Sequence, residues 1–492
     1  RERCPFAIIG EISGDGKLNL EDSQFESRPI DDLDLEVLLG KPPRMVRDVS
    51  RRPQNLIPLE RPDLGLEEIV NRVLRFPAVA SKSFLITIAD RTVTGLIARD
   101  QMVGPYQVPV ADVGVTATSF KTYTGSAMAM GERTPVALID APASGRLAIA
   151  EAITNIAAAR IGPIGNIKLS ANWMCACGED GEDALLYDTV EAVGMEFCPA
   201  LGIAIPVGKD SLSMRTVWQD SRGENHEMSA PLSLVISAFA PVRDIRQTLT
   251  PELCAEGDTR LLVVDLGHGR NRLGGSVYAQ VLNQLGNECP DVDPGELKRL
   301  YDAVQELLVA GQVLAYHDRS DGGLLATLAE MAFAGGCGVD VDLAALGADG
   351  AAALFTEEIG VVLQCRTGDL PAVMEIFERH RLANLTHDIG CSTASATVRI
   401  ACGGEQLLRA PTRSLQQTWS ELSYRMQSLR DNPECAREEF ESLGDEAKGL
   451  CFKVGFQVNQ SVAPASTDRP QIAVLREQGV NGQVEMAVAF DA

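Results

Sequence analysis

Apolar residues recur along the chain in two rhythms, and most of the predicted elements come from them. Leu66, Ile69, Val70, Val73 and Leu74 fall on one face of a 3.6-residue period and predict an amphipathic helix. Short apolar runs predict strands over Cys4–Gly10, Phe84–Ile88, Val108–Thr116, Val136–Asp140, Ile167–Ala171 and Leu232–Ala240, with another ending at Pro206-Val207. Between them the pattern predicts helices from about Gly145 to Ala159 and from Ala184 to Leu201. The alternation then repeats. Strands are expected at Leu261–Leu266 and Val313–His317, and helices at Gly275–Leu285, Glu296–Ala310 and Leu324–Phe333. Near the end come two polar helical pieces, a strand at Ile472–Leu475 and a helix opening near Glu485. The fold class implied is mixed α/β.

These elements group into an organisation. Residues 1–42 are a short β segment and an acidic loop closed by Pro42-Pro43, too small to hold a core. Residues 43–81 are a proline-rich connector with one helix, 82–242 and 258–410 are two α/β domains, and 411–468 are a polar connector. Residues 469–492 start a new unit. The chain opens on Arg1 and closes at Ala492 inside that unit, so a piece of a longer polypeptide is expected.

Composition narrows the function. The 492 residues carry 44 Lys+Arg against 68 Asp+Glu, a net charge of −24, which argues against a nucleic-acid binder because such affinity comes from neutralising phosphates. An acidic protein can still hold phosphorylated small molecules through divalent cations. No apolar run reaches the length of a membrane span. The 12 cysteines are scattered without a C-x-x-C pair, which suits free thiols in a reducing cytoplasm rather than zinc or disulfides.

Oxygen donors supply the candidate chemistry. Asp112 ends one strand, Asp318 ends another, and Glu151 and Asn155 stand one turn apart on a helix face. Three carboxylates and a carboxamide suit Mg²⁺. The four positions read equally well as unconnected surface or capping residues. In His317-Asp-Arg-Ser-Asp-Gly-Gly323, Ser320 or Asp321 can cap the following helix, whose N-terminus can bind phosphate or simply be a capped turn. His317 reads more naturally as a hydrogen-bonded histidine than a catalytic one. Gly208-Lys-Asp-Ser211 reads as a Gly turn but not as a P-loop, since the glycine spacing is wrong and Asp210 follows Lys209. Asp265-Leu-Gly-His-Gly269 has Arg272 where a dinucleotide fingerprint needs glycine.

Several longer stretches carry a family resemblance. Asp90–Asp112 (DRTVTGLIARDQMVGPYQVPVAD), Glu151-Ala-Ile-Thr-Asn155, Lys168–Met174 (KLSANWM), Pro206–Ser211 (PVGKDS) and Tyr316–Gly323 (YHDRSDGG) resemble the large single-chain phosphoribosylformylglycinamidine synthases of purine biosynthesis. The likeness runs over nearly the whole chain. It implies a pair of domains like the N- and C-terminal domains of aminoimidazole ribonucleotide synthetase, forming half of a pseudo-dimeric barrel with an exposed apolar edge. It also implies that residues 1–42 end the first synthetase half, that 82–410 are the second half, and that Arg469–Asn481 with Glu485–Ala487 open a class I glutaminase domain. The family converts formylglycinamide ribonucleotide, ATP and glutamine to the amidine, so those substrates, the missing first half and the glutaminase in cis are the implied partners. By the resemblance Asp112, Glu151, Asn155 and Asp318 are Mg²⁺ ligands, and Ala111 and Ser320 contact ATP or ADP. The glutaminase Cys, His and Glu would lie beyond Ala492, so no catalytic residue is assigned. The chain alone is expected to bind Mg²⁺-nucleotide without turnover. A nucleotide-binding scaffold without catalysis is the alternative.

Overall fold

The computed structural model describes residues 6–41, 46–53, 55–61, 64–88, 91, 94–255, 257–446, 449–457 and 470–491. The chain divides into two compact units, Arg1–Ser50 and Arg51–Ala492. In the first, β1 (Lys17–Leu20) pairs antiparallel with β2 (Ile30–Asp34), and a short helix, Leu35–Leu39, follows without a buried residue. The strand expected over Cys4–Gly10 does not form in its described part: residues 6–10 are irregular and exposed, so no neighbouring strand pairs with that apolar run. Pro42-Pro43 lie outside the described residues, as do Asp90, Thr92 and Val93 of the long motif, Arg469 and Ala492.

The second unit contains two sheets. β3 (Ile97–Arg99), β4 (Gly114–Ala117), β5 (Gly125–Glu132), β6 (Lys168–Met174) and β7 (Ala204–Ser211) belong to the first sheet. β8 (Arg215–Gln219) and β9 (Asn225–Ser229) form a separate exposed ribbon. β10 (Ser233–Val242) completes the first sheet, whose order is β3-β4-β5-β10-β6-β7. All its pairings are antiparallel except β6 with β7. Along β5 burial alternates strictly, as a half-covered strand requires. Ala127 and Ala129 face the helix Ala141–Ile156, while Met128 and Met130 stand 43% and 58% exposed on the other face beside Phe239. Gly131 allows that helix to lie close, since a Cβ there would come within 2.1 Å of the Ala148 carbonyl oxygen. The uncovered face thus exposes Met128, Met130 and Phe239 beside the polar Ser170, Asn172 and Ser237.

β11 (Thr259–Asp265), β12 (Ala315–Arg319), β13 (Gly338–Asp342), β14 (Gly360–Arg366), β15 (Thr386–Thr393), β16 (Thr397–Cys402) and β17 (Glu405–Pro411) make the second sheet, in the order β12-β14-β11-β15-β13-β16-β17. One core runs from the helix Ala141–Ile156 through Leu262 and Val264 to the helix Pro294–Ala310, so the two sheets share apolar packing. Each fully buried Leu or Ile in it contributes about 1.5–3 kcal/mol. On the far side of the second sheet, the helices Gly323–Gly335, Leu66–Arg75 and Thr412–Arg430 close a second core through Leu328, Val73 and Trp419.

Other local expectations differ. Phe84–Ile88 forms a helical turn, Ser83–Ile86, rather than a strand. Val136–Asp140 is not a strand either: Pro135 opens a 3₁₀ turn over Thr134–Leu138, and Asp140 caps the next helix by accepting from Ala143 N at 2.9 Å. Val108 makes only an isolated bridge to Val103, Pro109–Val113 is irregular, and the strand begins at Gly114. Gly208–Ser211 lies inside β7, where parallel pairing to β6 overrides its turn-like composition, and Lys209 Nζ donates to Ser211 Oγ at 2.9 Å. The helix at Gly275–Leu285 shortens to Val277–Val281, and Ile472–Leu475 is irregular.

Candidate functional site

The two domains meet at a buried polar junction. Asp112 enters it from the segment before β4, and His317 and Asp318 from β12. Asp112, His317 and Asp318 each offer a ligand atom, and these lie within 4.8 Å of one another. Asp112 Oδ1 accepts from His317 Nδ1 at 2.8 Å and from the Asp318 backbone N–H at 3.1 Å. Its other oxygen, Oδ2, is buried without a hydrogen-bond partner, and so is Oδ2 of Asp318. A buried carboxylate oxygen without a donor on each of two neighbouring aspartates is costly unless a cation or proton satisfies it.

Glu151 and Asn155 approach from the helix Ala141–Ile156. Glu151 Oε2 accepts from Glu132 N at 2.9 Å, and Asn155 Nδ2 donates to Met130 O at 3.1 Å, which turns the carboxamide oxygen away from that contact. Burial pushes the Glu151 carboxyl well above the usual range; Arg133 opposes the shift and the Asp318 charge adds to it. Asp318 is pushed up to about 7 by burial and by the Asp112 charge. Asn155, Asp112 and Ala111 line one cavity of about 570 Å³, together with Arg91, Arg99 and Met130. Ser320 Oγ lies 3.5 Å from Asp318 Oδ1. The structure therefore brings Asp112 and Asp318 into contact, sets Glu151 in the field of Asp318 but outside the cluster of Asp112, His317 and Asp318, and puts Asn155 on the same cavity wall as Asp112.

The helix after His317-Asp-Arg-Ser-Asp-Gly-Gly323 is not capped as expected. Its N-cap is Gly322, at φ +82°, and the Gly322 N–H donates to Glu357 Oε1 at 2.8 Å. Asp321 accepts instead from Arg133 Nη1 at 2.9 Å. Arg133 also reaches Glu357 Oε2 at 3.0 Å, so one buried guanidinium from the first domain ties two carboxylates of the second.

Other members of the site have no signature in sequence. Glu330, on the helix Gly323–Gly335, accepts from His317 Nε2 at 2.9 Å. With a carboxylate at each ring nitrogen, His317 is held well above the ordinary imidazole range against its burial. Lys82 donates to Ala78 O and to Ala80 O; burial lowers it, and the charges of Glu330 and Asp321 partly offset this. Acidic side chains outnumber cationic ones in this junction, and the arrangement fits a hard divalent cation held by oxygen.

Residues 81–241 match the FGAR-AT PurM N-like domain, and residues 256–402 match the C-terminal domain of AIR synthase related proteins. The two domains form an AIR synthase-type pair. Solved structures of the same fold include Thermotoga maritima PurL complexed with FGAR, at 14% identity and a TM-score of 0.51 over 72% of this chain and 54% of that one. PurL of that organism complexed with ADP matches at 14% and 0.51, over 71% of this chain and 51% of that one. The Thermotoga maritima PurLQS structure matches at 14% and 0.52, over 78% and 54%. The chain spans about half the length of these matched chains. Among the described residues, no helix is long and apolar enough to cross a membrane.

Proposed function

We propose that this chain is the second synthetase-like half of a phosphoribosylformylglycinamidine synthase and holds a Mg²⁺-bound ADP or ATP at the domain junction. The observation that carries the reading is the pair of buried, donorless oxygens, Asp112 Oδ2 and Asp318 Oδ2. Asp112, Asp318, Glu151 and Asn155 would hold the cation, and Ala111 and Ser320 would touch the nucleotide. Bound Mg²⁺ supplies charge neutralisation between the phosphates and these carboxylates. The chain's own contribution is preorganisation. His317 and the Asp318 N–H fix one oxygen of Asp112, the Met130 carbonyl orients Asn155, and Arg133 keeps the two domains closed around the site. The matched domain pair and the FGAR and ADP complexes of the Thermotoga relative support the substrate class.

In the whole enzyme the reaction would join ammonia from glutamine to formylglycinamide ribonucleotide with ATP cleaved, a ligase reaction in purine biosynthesis. The resemblance assigns glutamine hydrolysis to residues outside this chain and turnover to the other synthetase half. The alternative is a nucleotide-binding scaffold without turnover. The test is nucleotide carried through purification. Wild-type protein should retain ADP released by denaturation, and Asp112→Ala should retain none; equal retention by both would refute the site.

A further inference from the structure

Beyond the oxygen donors runs a chain of hydrogen bonds with a defined direction. Trp419, 3% exposed, donates from Nε1 to Val79 O at 2.8 Å and to Glu330 Oε1 at 3.2 Å. The other Glu330 oxygen, Oε2, faces His317 Nε2 at 2.9 Å, and His317 Nδ1 faces Asp112 Oδ1 at 2.8 Å. The side chains of His317 and Asp112 are 8% and 0% exposed, so water does not substitute for these partners. We propose that Glu330 and Trp419 are positioning residues: through His317 they fix the Asp112 carboxylate so that Oδ2, and not Oδ1, faces a divalent cation. The inference rests on the cation reading above and adds residues to it.

The donor inventory makes Glu330 specific. A carboxylate only accepts, and here each of its oxygens meets one N–H, from indole and from imidazole. Glutamine has one acceptor and an NH₂ group, so it can accept from only one of the two. The run of donors from indole to imidazole is then broken or reversed at this position, and the hold of His317 on Asp112 Oδ1 is weakened. Groups of this kind orient metal ligands, and their loss costs roughly 10–100-fold in metal affinity. Trp419 acts one step further out and shares its N–H with Val79 O, so its effect is smaller. The indole is itself set by Phe333, whose ring centroid lies 5.6 Å away.

Mn²⁺ is the probe, followed by electron paramagnetic resonance on the full chain without nucleotide, alongside melting in EDTA. Glu330→Gln should weaken Mn²⁺ binding about 10–100-fold and change the line shape of the bound ion. Trp419→Phe should weaken it less. A purely structural role would lower the melting midpoint while the folded protein kept wild-type Mn²⁺ affinity and line shape, and that result would overturn the proposal. If Glu330→Gln fails to fold, Trp419→Phe decides, and wild-type affinity there overturns it equally. Wild-type protein that binds no Mn²⁺ would refute the cation reading and the proposal with it; wild-type binding matched by both variants would refute the positioning chain alone.

Discussion

Replacing Arg133 with methionine tests how the two domains are held together. The guanidinium is 2% exposed and lies 2.9 Å from Asp321, 3.0 Å from the Glu357 carboxylate and 3.1 Å from the Glu357 carbonyl. Methionine fills much of the volume but leaves two carboxylates without their cation. Breaking a buried ion pair from one side costs about 3–5 kcal/mol. At about 2.1 cal/mol/K of unfolding entropy per residue over the unit Arg51–Ala492, the melting midpoint should fall by roughly 3–5 °C. The loss also carries a pH signature. Burial already lifts the Glu357 carboxyl to about 7, and Arg133 is the largest influence holding it down. Without Arg133 it rises further. A carboxyl raised in the folded state stabilises fully below its unfolded value, and that stability is lost as pH rises through the folded value. The deficit of Arg133→Met relative to wild type should therefore be smaller at pH 6 than at pH 8.5. Scanning calorimetry at both pH values measures this. A shift below about 2 °C, or a deficit that does not grow with pH, would refute the ion pair as the latch.

Gly323→Ala should cost at least about 1–3 kcal/mol, because φ is +65° and an added Cβ would come within 2.6 Å of the Thr356 carbonyl oxygen; an unchanged urea midpoint would contradict this. Cation affinity should fall as pH drops below about 7, where burial and the Asp112 charge hold the Asp318 proton, and level off above it; calorimetric titration with Mg²⁺ from pH 5.5 to 8.5 checks it, and a flat profile would count against it. Burial pushes the Cys289 and Cys337 thiols up to about 12, while Cys435 and Cys451 are exposed. A thiol-specific disulfide reagent should modify Cys435 and Cys451 in the native protein and reach Cys289 and Cys337 only in urea; rapid native modification of Cys337 would contradict the packing.

How much of this was readable depended on the range of the interaction. The helix at Leu66–Arg75 was legible because its apolar period is local and its buried residues are Ile69, Val70, Val73 and Leu74. β5 was not. Its Gly-Ser-Ala-Met-Ala-Met-Gly-Glu sequence lacks β-branched residues, and it is a strand because β4 and β10 flank it. The short run Phe84–Ile88 carries no period long enough to separate strand from helix. At the site, the residue types alone suggested an oxygen-donor set, but Asp112 and the Asp318 backbone meet across 206 residues. That closure is a property of the two-sheet packing. Glu330 is 13 residues from His317 and reaches it because the helix folds back over β12, and no motif announces the pairing. Arg133, with Arg319 one of two buried arginines among the described residues, follows a strand the pattern missed. The ligand roles proposed for Asp112, Glu151, Asn155 and Asp318 rest on the family resemblance, which periodicity does not carry.

The central claim is that the domain junction takes a nucleotide through a divalent cation. Titration calorimetry of the 492-residue chain with ADP, in Mg²⁺ and again in EDTA, measures it most directly. The account predicts saturable ADP binding in Mg²⁺, its loss in EDTA and its loss in Asp112→Asn. ADP binding that is equal with and without Mg²⁺, or that survives in Asp112→Asn, would contradict it.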